Sequence, residues 1–297
     1  MKRKPALFVP TITPFKADLS VDLERYVENC RLVLSEGAHG LAPFGTTGEA
    51  NSLSVGERME ALDALISGGV APSKLIPGTG CAALPDSITL TRHAVSKGCL
   101  GTLMLPPFYY KGVSEEGLFA SYARIVEAVG DVRLKIYLYH IPQMTGLPVT
   151  LSLIERLLRS YPTVFIGMKD SSGDWENTHT VIKTFPELLI YSSSEALIPK
   201  NVDAGGAGCI SASANVNSRG IVALMRALGT GEEEAIAARV GEIRKIFEGL
   251  PLVPAIKAVA AKLRGDAAYA VVRPPFVPLA QNHVAEIERA AALCTAI

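Results

Sequence analysis

Three short segments carry residue types that could do chemistry together. Lys169 closes the apolar run of Phe165-Ile166-Gly167-Met168, Tyr139 closes Tyr137-Leu138, and Gly45-Thr46-Thr47-Gly48-Glu49 follows the apolar run at 40–44. A lysine at the end of a buried strand, shielded from water, more readily exposes a free nitrogen lone pair, and such an amine can form a Schiff base with a carbonyl. A phenol beside it can donate and recover a proton if its hydrogen-bond partners hold it in place. The Gly-Thr-Thr-Gly turn offers two hydroxyls and backbone amides to a small carboxylate, with glycine letting the main chain come close. Each segment also has an ordinary explanation: a strand-end lysine reaching solvent, a half-buried aromatic, a common strand-to-helix turn. Their combination points to chemistry.

These residues need a frame that brings strand ends together. Apolar runs of the kind buried in parallel sheets recur at 7–12, 40–44, 75–77, 102–105, 135–139, 164–169, 189–192 and 209–211. Helical periodicity occupies 23–34, 54–66, 86–96, 115–129, 151–158 and 175–185 between them. Ser54 stands three before Glu57 and Ser152 three before Glu155, the spacing of a capping box at a helix start. Eight alternating units predict an α/β chain of the (β/α)8 TIM barrel class, which places its chemistry at the carboxyl ends of the strands. The last unit is expected to close near Leu228, giving a barrel over 1–228 and a helical C-terminal extension over 229–297 packed on it.

Other candidates fit poorly. Gly205-Gly206-Ala207-Gly208 precedes the last apolar run and so belongs at the opposite face of a barrel, where close packing explains it better than a phosphate. The chain has no GxxxxGK[ST] and no GxGxxG between a strand and a helix, and its five histidines show no HxH or HExxH spacing. Asp170 and Asp174 read as a polar turn. Lys257, a rival amine in Pro254-Ala255-Ile256-Lys257-Ala258-Val259, sits in an extension helix that gives it no place at a strand end.

Composition bounds the partners. Apolar residues make up 48% and charged ones 20% of the 297, which is ordinary globular usage. Lys+Arg and Asp+Glu each number 29, so the zero formal charge gives no attraction for nucleic acid or an anionic membrane. No run approaches 18 uninterrupted apolar residues, and prolines at 5, 10 and 14 break the N-terminal apolar stretch before it could serve as a secretion signal. Five unpatterned cysteines suit a reducing compartment, and a cytoplasmic protein is expected.

In order along the chain, Gly45-Thr46-Thr47-Gly48-Glu49, Pro107-Phe108-Tyr109-Tyr110, Tyr139-His140-Ile141-Pro142 with Thr145-Gly146, and Gly167-Met168-Lys169-Asp170 resemble the dihydrodipicolinate synthase and N-acetylneuraminate lyase family. Arg273-Pro274-Pro275 through Pro278-Leu279 is similar to the family's ending. The resemblance implies a (β/α)8 barrel with a helical extension, assembled as a homotetramer, acting on pyruvate and a small aldehyde or 2-oxo acid without metal or organic cofactor. It implies that Lys169 is the Schiff-base lysine, Tyr139 the proton-handling phenol and Thr46 its hydrogen-bond partner. Tyr110 would complete that relay from a neighbouring subunit, Thr47 would hold the pyruvate carboxylate, and Ile210 would line the pyruvate pocket.

Two departures bear on the second substrate. Met144 stands where the synthases carry an arginine for that substrate's carboxylate, and Ser193 where they have glycine. Loss of a charge-assisted hydrogen bond, worth about 1.5–3 kcal/mol, would weaken aspartate semialdehyde by about one to two powers of ten. A lyase acting through pyruvate on a sugar-acid-like or other aldehyde is therefore expected, with the synthase as the alternative and a non-catalytic 2-oxo acid sensor as the reading from another class.

Overall fold

The computed structural model describes residues 3–296. Seven strands are present among these residues: β1 (Ala6–Val9), β2 (Gly40–Leu41), β3 (Thr102–Met104), β4 (Ile136–His140), β5 (Phe165–Asp170), β6 (Leu189–Ser192) and β7 (Gly208–Ile210). They form one parallel sheet in the order β2-β1-β7-β6-β5-β4-β3, with helices between successive strands. One of the eight expected strands, the third run at 75–77, does not form as such. Instead Leu75 bridges to Leu41 and Gly78 to Leu103, both parallel, so the segment touches the two edge strands. Ile76 N donates to Leu41 O at 2.9 Å and Thr79 N to Leu103 O at 3.0 Å, so both edges of the sheet gain hydrogen bonds there. Pro77 removes a donor from this segment, and a strand there cannot pair evenly.

Side chains alternate across the sheet with period two. Phe8, Leu103, Tyr137, Tyr139, Tyr191 and Ile210 form the cluster on its concave side. Met104, Leu138, Met168 and Ile190 lie on the other side, packed with Leu118, Tyr122, Leu153, Leu157 and Val181 from the helices. Gly167 faces the concave side, and a Cβ there would stand 2.7 Å from the Tyr137 ring and 2.5 Å from Leu189 O. The missing side chain is thus what lets the aromatic layer fit.

The helices at 115–129 and 175–184 lie within a residue of expectation. The capping box at Ser54 is present, with Ser54 Oγ accepting from Glu57 N and Glu57 Oε2 accepting from Ser54 N at 2.8 Å, a device worth about 1 kcal/mol. The one expected at Ser152 is not. The helix Leu151–Ser160 is capped by Thr150, which accepts from Leu153 N at 3.1 Å, while Ser152 donates to Glu115 on the neighbouring helix. Helices Glu233–Glu248, Leu252–Arg264 and Val284–Thr295 follow the last strand, and Ile256, Val259 and Phe247 pack against Ile12, Ala212 and Val216. Among the described residues no helix is long and apolar enough to cross a membrane.

Candidate active site

The parallel register of β4 and β5 pairs Tyr139 with Lys169, so both side chains leave the sheet on the same side. Lys169 is only 5% exposed, its Nζ donates to Tyr139 Oη at 3.2 Å and lies 4.4 Å from the centre of that ring. Tyr139 Oη in turn meets Thr46 Oγ1 at 3.3 Å. Lysine, phenol and hydroxyl therefore form one chain across three carboxyl ends. Burial would push the Tyr139 phenol up, but the Lys169 charge and hydrogen bonding from Thr46, Lys169 and Ser171 outweigh it and leave the phenol below its usual value of 10.0. Such a shift makes proton transfer at the phenol easier near neutral pH.

The turn after β2 is tightly set. Gly48 N donates to Gly45 O at 3.1 Å, and Thr13 Oγ1 donates to Gly48 O at 2.7 Å. Phe44 and Glu49, on either side, both hold positive φ, at 59° and 54°. Left-handed backbone at two side-chain-bearing residues costs energy that the surroundings must repay. Gly78 packs directly beneath, where a Cβ would fall 2.1 Å from Phe44 O, so only glycine fits. Thr47 is buried within the turn. Among the described residues no acceptor takes the N–H of Thr46 or Thr47, so two amides stay free for an anion. A cavity of about 20 Å³ opens between Thr46, Tyr139, Gly80 and Leu105.

The remaining expected residues fall in different places. Ile210 is buried in the aromatic cluster with Tyr139 and Tyr191, and Ser193 follows the end of β6, partly exposed. Met144 lies on the single turn Pro142–Thr145 after β4 and is 64% exposed. Tyr110 is 70% exposed and stacks edge-on against Tyr109 at 5.4 Å; within one chain it meets neither Tyr139 nor Thr46. Asp170 accepts from Ser172, Asn177 and Thr178, and Asp174 caps the helix Trp175–Thr184, so this acidic pair organises a polar turn as expected.

An expectation about a second lysine fails. Lys257 was denied a place near the strand ends because it belongs to an extension helix, yet the helix Leu252–Arg264 points it inward, fully buried. Its Nζ donates to Glu49 Oε1 at 2.5 Å and to Thr13 O at 2.8 Å, with the Phe15 ring centre 4.4 Å away. The other Glu49 oxygen accepts from Arg273 N at 3.0 Å. Glu49 is the last residue of the Gly-Thr-Thr-Gly-Glu segment, so this pair clamps the turn from below. Burial pulls the Lys257 ammonium down to about 8, against the pull of the Glu49 carboxylate. A lone lysine in an otherwise apolar helical stretch was the available signal, because such a charge is kept only when paired.

A second buried cluster went unread. Glu195, after β6, accepts from Ser211 Oγ at 2.5 Å and from Ser213 Oγ, with Arg244 Nη1 3.8 Å away. Among the described residues no group of three His, Cys, Asp or Glu side chains is placed to hold a metal ion.

A parallel α/β scaffold thus sets a buried lysine against a phenol and a hydroxyl at its strand ends. The chain belongs to the dihydrodipicolinate synthetase family, whose sequence model matches residues 4–293, and it is an enzyme, a carbon–carbon lyase. It is 38% identical over 282 residues to an uncharacterized DapA-like lyase of Chloroflexus aurantiacus, a match covering 94% of this chain and 93% of that one. Among solved structures it resembles dihydrodipicolinate synthase from Agrobacterium tumefaciens, with 29% identity, a TM-score of 0.87 and 98% of each chain covered. The sialic acid aldolase of Ruminococcus gnavus, solved as a catalytic lysine mutant, shares the fold at a TM-score of 0.89 and 20% identity, over 99% of this chain and 96% of that one.

Proposed function

We propose that the chain makes or cleaves a 2-oxo acid through a pyruvate enamine on Lys169, with a sugar-acid-like or other small aldehyde as partner. The observation that carries this reading is the unbroken chain Lys169 Nζ–Tyr139 Oη–Thr46 Oγ1, at 3.2 and 3.3 Å, out of bulk water. In cleavage the Lys169 amine adds to the keto carbon and water leaves, giving a protonated imine. That cation accepts the electron pair of the bond between the α- and β-carbons counted from it. Tyr139 takes the proton from the β-hydroxyl as the aldehyde departs, and returns it to the enamine carbon. Hydrolysis then frees pyruvate and restores the amine. Synthesis runs the same steps backward.

Thr47 and the free amides of the turn would hold the pyruvate carboxylate, and Ile210 would form an apolar wall of its pocket. Tyr110, exposed in one chain, suits a relay completed by a neighbouring subunit in a homotetramer. We read the bridged segment at 75–79 as the eighth stave of a (β/α)8 barrel spanning 1–228, with 229–297 as the packed extension. Reduction with borohydride in the presence of pyruvate tests the assignment: a mass gain on the peptide containing Lys169 is expected. An unmodified protein would favour a 2-oxo acid sensor and overturn it.

Dihydrodipicolinate synthase activity is the second reading, supported by the relatives that carry that name. Against it stands Met144, exposed and uncharged in the segment after β4. Lys111, which lies against Gly146, spends its ammonium on Phe108 O and Thr145 O. Efficient turnover of aspartate semialdehyde by the unaltered protein would establish the second reading. Activity gained only in Met144→Arg supports the first.

A further inference from the structure

Three buried groups beside the Gly-Thr-Thr-Gly turn take no part in the chemistry: the Glu49 carboxylate, the Lys257 ammonium and the Arg273 main chain. The last two follow the final strand and belong to the C-terminal extension. Each holds one oxygen of the same carboxylate, Lys257 Nζ donating to Glu49 Oε1 at 2.5 Å and Arg273 N to Glu49 Oε2 at 3.0 Å. Arg273 is itself fixed, its guanidinium donating to Leu19 O and Ser52 O at 2.6 Å each and to Glu57 Oε1 at 2.7 Å. Replacing a buried ion pair by apolar residues of similar size is often neutral for stability, so stability does not account for the Glu49–Lys257 pair.

Its place beside the turn does. Glu49 stands two residues after Thr47. Within the turn Gly48 N donates to Gly45 O at 3.1 Å, Glu49 N to Thr46 O at 3.2 Å and Ala50 N to Gly45 O at 3.2 Å. None of these bonds uses the N–H of Thr46 or Thr47, so the amides open to an anion do nothing to fix the turn that carries them. Left-handed backbone at Phe44 and Glu49 favours relaxation of both ends. The restraint comes from outside. Thr13 Oγ1 donates to Gly48 O at 2.7 Å, while Thr13 O accepts from Lys257 Nζ at 2.8 Å. One ammonium thus reaches the turn by two routes, through Glu49 and through Thr13.

We propose that the extension sets the affinity for the 2-oxo acid, with Lys257 and Glu49 as positioning residues that hold the Thr46 and Thr47 amides where its carboxylate binds. The inference rests on the enamine reading of Lys169. Donors aimed at an anion keep their hold only while their geometry is fixed in advance, so slackening the clamp acts on substrate binding before it acts on the amine.

The test is borohydride trapping on the full chain over a range of pyruvate concentrations, read as the concentration that half-saturates labelling of the Lys169 peptide. The natural protein is compared with Lys257→Met, with Lys257→Met combined with Glu49→Leu, and with Phe247→Leu, which loosens packing elsewhere in the extension. A melting temperature is taken for each. Half-saturation should rise about tenfold in both clamp variants, the equivalent of one hydrogen bond to a charged group, and labelling should still be reached at high pyruvate. The double variant should melt above Lys257→Met yet keep the raised half-saturation, which separates affinity from stability. Phe247→Leu should melt lower with half-saturation unmoved. A natural half-saturation in the double variant, or an equal rise in Phe247→Leu, would leave the pair serving the fold alone and overturn the inference. A natural protein that traps no pyruvate overturns the enamine reading, and this inference with it.

Discussion

Two buried lysines stand at the strand ends of this molecule, and their surroundings differ in kind. Lys257 meets a carboxylate at 2.5 Å and a carbonyl at 2.8 Å, so its ammonium is matched by a full negative charge. Lys169 meets a phenol at 3.2 Å. Both are withdrawn from water, so burial by itself does not select the nucleophile. The partner does: a carboxylate holds a lysine as a structural cation, whereas a phenol linked to a threonine can exchange protons with it. The contrast also assigns a task to each region. The Glu49 clamp holds the Gly-Thr-Thr-Gly turn from the extension side, and the Lys169 side is where the proposed chemistry falls.

The contrast breaks most sharply at Lys169 itself. Lys169→Ala should lose pyruvate-dependent turnover by about 10⁴-fold and lose borohydride trapping, while Lys257→Met still traps pyruvate on the Lys169 peptide. Trapping on Lys257 in the natural protein would reverse the two roles. Tyr139→Phe, which keeps the ring over the amine and removes only the proton carrier, should lower kcat by about 10²- to 10⁴-fold, measured in steady state. Lys257→Met leaves Glu49 buried without its cation and should cost about 3–5 kcal/mol in denaturant unfolding; Lys257→Met combined with Glu49→Leu should recover much of that.

Thr46→Val sharpens the comparison from the proton side. It removes one hydrogen bond, about 1 kcal/mol, and one of the influences that lower the Tyr139 phenol, so the alkaline limb of kcat/KM should move upward in pH. An unmoved limb would detach Thr46 from the phenol. The smallest effect concerns Glu57, whose carboxyl the Arg273 guanidinium holds at about 2 against a usual 4.5. A carboxylate lowered by folding stabilises above its unfolded value, and that stabilisation is lost as pH falls through the folded value. The natural protein should therefore lose melting temperature between pH about 4.5 and about 2 more steeply than Glu57→Gln.

Much of this was legible from periodicity. The boundaries of 115–129 and 189–192 and the inward alternation of Tyr137, Tyr139 and Lys169 follow directly from side-chain pattern. What stayed hidden came from tertiary reach. An extension helix carries a residue number far from any strand, yet its long lysine side chain crosses the interface to Glu49. Ser152 and Glu155 show capping spacing, but Glu115 from the adjacent helix claims the serine hydroxyl and Thr150 takes the cap. The run at 75–77 reads as apolar in sequence, while its proline and the close approach of Gly78 to Phe44 leave it only scattered pairings. Sequence spacing reports local competition well and distant partners not at all.

That bridged segment at 75–79 is the seam of the wall. With isolated bridges in place of a continuous ladder, it holds fewer cooperative bonds than the β4–β5 pair, so it opens more readily than that pair does. The small cavity beside Tyr139 abuts Gly78 and Gly80 on this seam. Breathing of the scaffold would thus widen the reaction chamber next to the phenol while leaving the lysine's own staves locked together.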